Sequence, residues 1–338
     1  MSHGRCYQQG TTLVEWMVSI TIGLILVAGM ATLIAQQSIT QAELEKSSRQ
    51  IENGRYAMHV LNEDIQLAGY YGEFSNVGGL TVPTAMPDPC AVAVSAIEPA
   101  MAFPVQGYDN LTTGLSTCIN AANHVDGTDI LVLRRVEPVA VAIASAASAA
   151  VYLQSGLTSS GLEFVKKMDF GSNATSFDLY KKDKTTLAPL RKFMVHIYFV
   201  SPCSVPVGTN CSGSADGGKP IPTLKVWESE TGNNTSLVEG IENMQIDYGL
   251  DNSCDPNIGD GAPDGPFVTN PTLGDWCKVM ALRVHLLARS NESSAGYLDT
   301  KTYNLGLSGT TTATNDHFKR RVFSQLIRVV NPSSRRDK

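Results

Sequence analysis

The carboxylate of Glu15 stands in an unusual place, at the start of an apolar segment with no other charged side chain from Trp16 to Ala42. An acidic residue inside an apolar helix costs up to about 3 kcal/mol when that helix enters a membrane. Such a residue is expected to have a purpose, and its simplest chemistry is to pair with a cation.

Six cysteines in the body of the chain are candidates for disulfide bonds. They lie far from Cys6 and are Cys90, Cys118, Cys203, Cys211, Cys254 and Cys277. The sequence has neither a Cys-x-x-Cys pair nor a cysteine and histidine cluster with zinc spacing, which favours disulfides in an oxidising compartment over a metal site. We expect nearest neighbours to pair, because each pair then closes a local loop between predicted strands. Free buried thiols are the alternative.

An acidic segment in the second half of the chain carries oxygen ligands of the kind that calcium prefers. Its members are Asp251, Asp255, Asn257, Asp260 and Asp264. The pattern differs from that of an EF-hand, because Gly259 stands where an oxygen ligand is expected. A solvated turn bounded by a disulfide is the preferred interpretation, and calcium binding is the alternative.

No catalytic signature stands out in the sequence. It lacks a P-loop, an HExxH motif, a GxSxG turn and the Rossmann glycine pattern. The 6 histidines are scattered singly, so each is expected to be a surface or strand residue. With 26 Lys and Arg against 32 Asp and Glu, the chain also lacks the basic excess that general nucleic-acid binding requires. We predict no enzymatic activity, no cofactor and no nucleic-acid partner.

The segment that carries Glu15 is long enough to span a membrane. From Thr11 to Ala35 a helix rising about 1.5 Å per residue would extend roughly 37 Å, against about 30 Å for a hydrocarbon core. A short leader with Arg5 and no acid precedes it, which predicts a cytoplasmic N-terminus and a periplasmic or extracellular body. A cleaved secretory signal would have a shorter apolar region, and a plain membrane anchor would leave Glu15 without a purpose.

Beyond the apolar segment the helix is predicted to continue to about Gly69. Apolar or small residues recur there at spacings that alternate between three and four, namely Ile51, Gly54, Met58, Leu61, Ile65 and Ala68. This stripe is expected to pack on the body of the protein. The charged residues are expected to face mostly water or neighbouring subunits, namely Glu45, Arg49, Glu52, Glu63 and Asp64.

Downstream of the helix, partly alternating apolar and polar residues predict a body rich in strands. Strands are expected at residues 129–136, 163–168, 177–181, 192–200, 223–228, 241–250, 279–289, 301–307 and 321–330. The predicted fold class is α+β, with a long N-terminal hydrophobic helix packed onto a C-terminal antiparallel sheet domain. We expect a leader over 1–10, a transmembrane part over 11–35, an amphipathic continuation over 36–71 and a disulfide-containing globular domain over 72–338.

The segment from Gln9 to Val18 resembles the class III signal of type IV pilins, in which a glycine and a cleavage point precede an apolar helix whose fifth residue is Glu. The resemblance implies that a prepilin peptidase cuts between Gly10 and Thr11, that Thr11 is N-methylated, and that Glu15 acts in assembly. Thr11 and Trp16 depart from the usual Phe and Leu or Ile. Further segments are similar to the PilW group of minor pilins, namely residues 55–72, 237–249, 276–290 and 320–323.

The resemblance implies a minor pilin that assembles with other minor pilins and the major pilin at an inner-membrane assembly platform. It would prime the pilus, lie at or near its tip, help to display an adhesin, and support adhesion and twitching motility. The chain would be a single-pass inner-membrane protein before it enters the extracellular fimbrium. Two alternatives stay open: a type II secretion pseudopilin, and a membrane-anchored periplasmic enzyme or binding protein. Genomic neighbours distinguish the first, and the second requires an uncut N-terminus.

Overall fold

The structure is a computed structural model that describes residues 10, 12–74, 80–115, 117–255, 257–312 and 315–336. Residues 1–9 of the predicted leader and the predicted methylation site Thr11 lie outside the described residues. The chain divides into two compact units, Met1–Ser48 and Arg49–Lys338.

One helix, α1, extends from Leu13 to Leu67 and confirms the predicted continuous helix. In the first unit its apolar side chains are exposed, as the 71% exposure of Ile25 illustrates. Within the described residues, α1 is the helix that is long and apolar enough to cross a membrane, with a mean hydropathy of 2.3 over its most apolar window. The chain leaves the helix at Gly69, whose φ of +74° lies in the left-handed region that favours glycine.

In the second unit α1 buries one face against the body. The buried residues of the helix are Gln50, Gly54, Ala57, Met58, Leu61, Asp64 and Ile65, which confirms most of the predicted stripe. The expectation that Asp64 faces water is wrong. Asp64 follows Leu61 by three positions and therefore lies on the same face of the helix. At Gly54 an added Cβ would meet the ring of Phe323 at 2.2 Å, so glycine permits the close approach of these two segments.

The remaining elements of the described chain are short helices and antiparallel strands. The helices are α2 (Val94–Ala100), α3 (Ala215–Gly218) and α4 (Val330–Ser334). The strands are β1 (Val105–Leu111), β2 (Thr128–Val136), β3 (Val151–Gly156), β4 (Val165–Phe170), β5 (Leu190–Ser201), β6 (Thr223–Glu228), β7 (Asn233–Glu239), β8 (Ile241–Leu250), β9 (Val279–Arg289), β10 (Thr302–Asn304), β11 (Thr310–Thr312) and β12 (Arg320–Arg328).

The strands form three sheets. In the 7-stranded sheet the order is β1-β2-β5-β3-β4, and β6 joins β5 to β7. Strand β5 holds this sheet together because its 12 residues pair with β2, β3 and β6. A 3-stranded sheet has the order β12-β9-β8, and β10 pairs with β11. Every pairing between these strands is antiparallel, so the α+β class is confirmed.

The body has two main hydrophobic clusters on opposite sides of the large sheet. Leu131 and Leu133 of β2 pack with the buried face of α1 and with the 3-stranded sheet. Ile130 and Val132, which alternate with them along the strand, pack in the second cluster with Phe193 of β5. The part of α1 that belongs to the second unit therefore lies over one face of the large sheet.

Two predicted strands differ from the structure. Residues 301–307 contribute only Thr302–Asn304. Residues 177–181 contribute only isolated bridges at Tyr180, because the backbone of Leu179 bonds to the buried side chain of Gln154 instead of to a strand. Strands β1, β3, β7 and β11 were not predicted.

The C-terminal segment closes the end of α1. The side-chain amide of Asn331 donates to the carbonyls of Gln66 and Ala68 at 3.1 and 3.3 Å. The guanidinium of Arg335 donates to the carbonyl of Gly69 at 2.9 Å. These donors satisfy carbonyls that a helix end leaves without intrahelical partners.

Candidate functional site

The predicted assembly residue Glu15 lies in the first turn of α1. The side-chain oxygen of Thr12 accepts a hydrogen bond from the backbone N–H of Glu15 at 3.4 Å, which makes Thr12 the N-cap of the helix. The hydroxyl of Ser19 donates to the carbonyl of Glu15 at 2.8 Å. Glu15 and Gly10 are both exposed. The carboxylate is thus presented outward at a helix N-terminus, where the helix dipole favours negative charge.

The predicted cleavage and methylation positions are only partly described. Gly10 precedes the helix, whereas Thr11 lies outside the described residues. The apolar residues on either side of Glu15 in the helix are exposed, as Leu13 (77%) and Leu24 (65%) are. This surface suits lipid or the apolar helices of other chains.

A second candidate region joins α1 to the large sheet through buried charges. Oδ1 of Asp64 accepts from Nε of Arg135, and Oδ2 bonds to Nδ1 of His196 at 2.7 Å. The hydroxyl of Tyr198 also donates to Oδ2, at 2.8 Å. The Asp64 side chain is 7% exposed. One carboxylate on the helix therefore collects three donors from the neighbouring strands β2 and β5.

The charges of this cluster shift its pKa values. Burial alone would raise the pKa of Asp64, but the hydrogen bond and charge of His196 and the charge of Arg135 lower it to about 2. Burial alone would lower the pKa of His196, but the hydrogen bond to Asp64 and the charges of Asp64 and Glu230 raise it to about 9. Glu230 acts through its charge, since its Oε1 lies 3.7 Å from Nε2 of His196, beyond hydrogen-bond distance. Both partners are therefore ionised at neutral pH.

Sequence reasoning missed this cluster because it treated each histidine singly. The available signal was the position of Asp64 within the apolar stripe, three residues after Leu61, which indicates a buried acid in need of a cation. A second histidine also has a buried partner: Nδ1 of His285 bonds to the hydroxyl of Ser324 at 2.7 Å and Nε2 lies 3.3 Å from Asp247. Both arrangements fix strands to their neighbours.

The body cysteines form three disulfides between nearest neighbours. Cys90 and Cys118 have Cα atoms 5.6 Å apart, as do Cys203 and Cys211, and Cys254 and Cys277 have Cα atoms 5.3 Å apart. These distances fall in the usual range for disulfides. Each bridge closes a loop of the body, and Cys6 lies outside the described residues.

The structure brings together only some of the predicted calcium ligands of the acidic segment. Carboxylate oxygens of Asp251, Asp260 and Asp264 lie within 4.8 Å of one another. Asp255 instead accepts hydrogen bonds from Asn257, at 2.8 Å from its backbone and 3.0 Å from its side chain. Three of the five predicted calcium ligands are thus brought together, and the other two form a separate turn.

The buried member of that group already has a cationic partner. Oδ2 of Asp251 accepts from Nη1 of Arg336 at 2.9 Å and from the backbone of Gly261 at 3.1 Å. The guanidinium of Arg336 also donates to the carbonyl of Cys277 at 2.9 Å and to that of Cys254. This arginine ties the C-terminal segment to the loop closed by the third disulfide, which is a structural role for Asp251.

Comparisons with known proteins agree with this architecture at both ends of the chain. The type IV pilus-assembly protein W family matches residues 207–331, which include β6 to β12. The prokaryotic N-terminal methylation motif matches residues 5–31, which include Gly10, Thr11 and Glu15. No curated protein matches the chain.

Among solved structures, a type IV-like pilin from Thermus thermophilus is similar, with 15% identity and a TM-score of 0.23 over 41% of this chain and 66% of that chain. The match therefore takes in just under two thirds of that pilin. With the methylation motif at its start and the pilus-assembly family model over its C-terminal strands, the chain is similar at both ends to type IV pilin-like proteins of the PilW type.

Proposed function

We propose that the protein is a minor pilin that co-assembles with other minor pilins and the major pilin to prime the type IV pilus. The proposal rests on the position of Glu15 in the first turn of one unbroken helix, from Leu13 to Leu67. The second part of that helix packs on the body. Such a helix can serve first as membrane anchor and later as the part of the subunit that packs inside a filament. The body would face the periplasm and then the cell exterior.

Processing would precede assembly. A prepilin peptidase would cut between Gly10 and Thr11, and the new α-amino group would be methylated. The amine stays cationic after methylation, so it can still neutralise the Glu15 carboxylate of a neighbouring subunit. Because a charge in an apolar environment is costly, this pairing would favour docking of one subunit onto another at the assembly platform.

The size of the body supports a position at or near the tip, where the subunit would help to display an adhesin and support twitching motility. The unit from Arg49 to Lys338 contains two main core clusters and three disulfides. A filament repeats its major subunit many times and favours compact bodies, whereas a bulky body is tolerated at low copy. The buried charges at Asp64 and Arg336 serve the fold, and we propose a structural subunit rather than an enzyme.

The N-terminal peptide of the protein, purified from its native membrane, tests the proposal by mass spectrometry. A peptide that begins at Thr11 and carries one methyl group is expected. A peptide that begins at Met1 would indicate a static anchor and overturn the proposal. Recovery of the processed protein in sheared surface pili, rather than only in the periplasm, is expected for a pilus subunit and would separate it from a secretion pseudopilin.

A further inference from the structure

The outer edge of β12 is open. Strand β12 ends the 3-stranded sheet, and its 9 residues pair with β9 in an unbroken register from Arg320 to Arg328. No bulge or proline interrupts the strand, although these are two of the means by which proteins protect a sheet edge from pairing with other chains.

The hydrogen bonds at both ends of the strand show which residues face outward. Val329 donates to the carbonyl of Met280 at 2.8 Å, and the carbonyl of Lys319 accepts from Ser290 at 2.9 Å. Backbone direction alternates along an antiparallel strand. Odd-numbered residues between these ends therefore bond to β9, and even-numbered residues direct their N–H and C=O groups away from it.

Three successive outward residues form what we term the open edge: Val322, Ser324 and Leu326. Within the described residues, their outward backbone groups bond to no strand, loop or side chain. The side chain of Leu326 is 58% exposed. The helix lies on the other face of the strand, where Phe323 meets Gly54 and Gln325 donates to Asn62 at 3.3 Å. Backbone N–H and C=O groups that point outward at every second residue can form hydrogen bonds with the backbone of an extended segment.

Charge argues against a second copy of β12 as the occupant. The strand contains three arginines, Arg320, Arg321 and Arg328, and no acidic residue. Arg320 is already compensated by Glu242, Asp299 and Asp316, whereas Arg321 and Arg328 are exposed. Pairing with another β12 would bring four exposed guanidinium groups to one seam, where like charges on opposed strands are destabilising. A strand of a different chain with an apolar residue opposite Leu326 and acidic residues toward the arginines is complementary.

We propose that the open edge of β12 accepts an extended, acid-bearing strand of another pilin subunit and continues the 3-stranded sheet into that partner. The inference rests on the proposed function, since it names the surface through which co-assembly would occur in the body. The helix would then supply one contact between subunits and the sheet a second.

Photo-crosslinking tests the proposal in the full-length protein. Benzoylphenylalanine replaces Leu326, or as a matched control Leu162, which is 88% exposed on a distant loop. Each variant is co-expressed in membranes with each of the other methylation-motif chains of the source bacterium. Crosslinks from position 326 to a strand of a different subunit are expected, and markedly fewer from position 162. Crosslinks to a second copy, to helices only, or none would overturn the proposal.

Two substitutions at one position separate pairing from folding. Ser324→Pro removes an outward N–H that β9 does not use, and prolines are tolerated at such positions. Ser324→Ala keeps that N–H while losing the hydroxyl that bonds to His285. We expect Ser324→Pro to reduce co-purification of the crosslinked subunit by about tenfold and Ser324→Ala to leave it unchanged. Equal co-purification by both variants would contradict the proposal.

The N-terminal peptide of the same preparations distinguishes the two proposals. If it begins at Thr11 while position 326 yields no partner strand, the open-edge proposal fails and the pilin proposal stands. If it begins at Met1, the pilin proposal fails irrespective of the crosslinking result.

Discussion

Oδ2 of Asp64 and Nδ1 of His196 lie 2.7 Å apart although 132 positions separate the two residues in the chain. Asp64 belongs to α1 and His196 to β5, so the bond joins the helix to the strand at the centre of the large sheet. Removing either partner leaves a buried charge with less compensation, which is more costly than the loss of an exposed ion pair.

The pH dependence of stability follows from the two shifted pKa values. The pKa of His196 rises from 6.5 to about 9, so its contribution is complete below pH 6.5 and is lost as the pH rises through 9. The pKa of Asp64 falls from 3.8 to about 2, so its contribution is complete above pH 3.8 and is lost as the pH falls through 2. Urea unfolding of wild type and His196→Gln should differ most between these limits, and the difference should shrink toward pH 9. A constant difference would contradict the charged pair.

Replacing Asp64 by Asn should destabilise the body by about 3–5 kcal/mol, because Arg135 and His196 lose the carboxylate that compensates their buried charges. The neighbouring Glu63→Gln is the matched control, since the Glu63 side chain is 68% exposed. It should change the free energy of unfolding by no more than about 0.5 kcal/mol. Urea titration near pH 5.5 measures both variants, and equal effects would show that the cluster adds no stability.

Replacing Glu15 by Ala should leave membrane insertion intact, because it removes an acidic residue from an apolar helix. It should abolish or strongly reduce incorporation into pili, because the amine of a neighbouring subunit then lacks its counter-ion. Immunoblots of membranes and of sheared surface filaments measure the two properties separately. The control is Glu45→Ala, farther along the same helix, and normal incorporation of Glu15→Ala would count against the pairing.

Replacing Gly54 by Ala should destabilise the body by about 1–3 kcal/mol, because the new methyl group meets the ring of Phe323. The better helix propensity of alanine, about 1 kcal/mol, opposes this effect without cancelling it. A double-mutant cycle with Phe323→Leu measures the coupling between the two positions. The Gly54→Ala substitution should cost less in the Phe323→Leu background, whereas additive effects would exclude the contact as the cause.

The helix was predictable in its extent because its apolar run and its stripe follow simple spacing, with Leu61 and Ile65 buried as expected. The same spacing puts Asp64 on the buried face, but its charge alone led to the expectation that it faces solvent. Its partners Arg135 and His196 are remote in sequence, so the local pattern does not indicate them. Strand β3 was missed because it contains the polar Gln154, whose amide bonds to the backbone of a distant loop. Local patterns of hydropathy predict helices and strands. Polar pairs between residues that are remote in sequence can be identified only once the fold brings the two residues together.

Because the chain is synthesised from its N-terminus, the contacts of Asn331 and Arg335 with the end of α1 can form only late in synthesis. The helix is translated before these residues and, under the proposed function, would already lie in the membrane while they are exported. The donors for the carbonyls of Gln66, Ala68 and Gly69 lie 265, 263 and 266 positions farther along the chain. If the proposal holds, a product truncated before Asn331 would remain anchored without the donors at its helix end, and only a chain that includes them would have a completed helix end to offer to a filament.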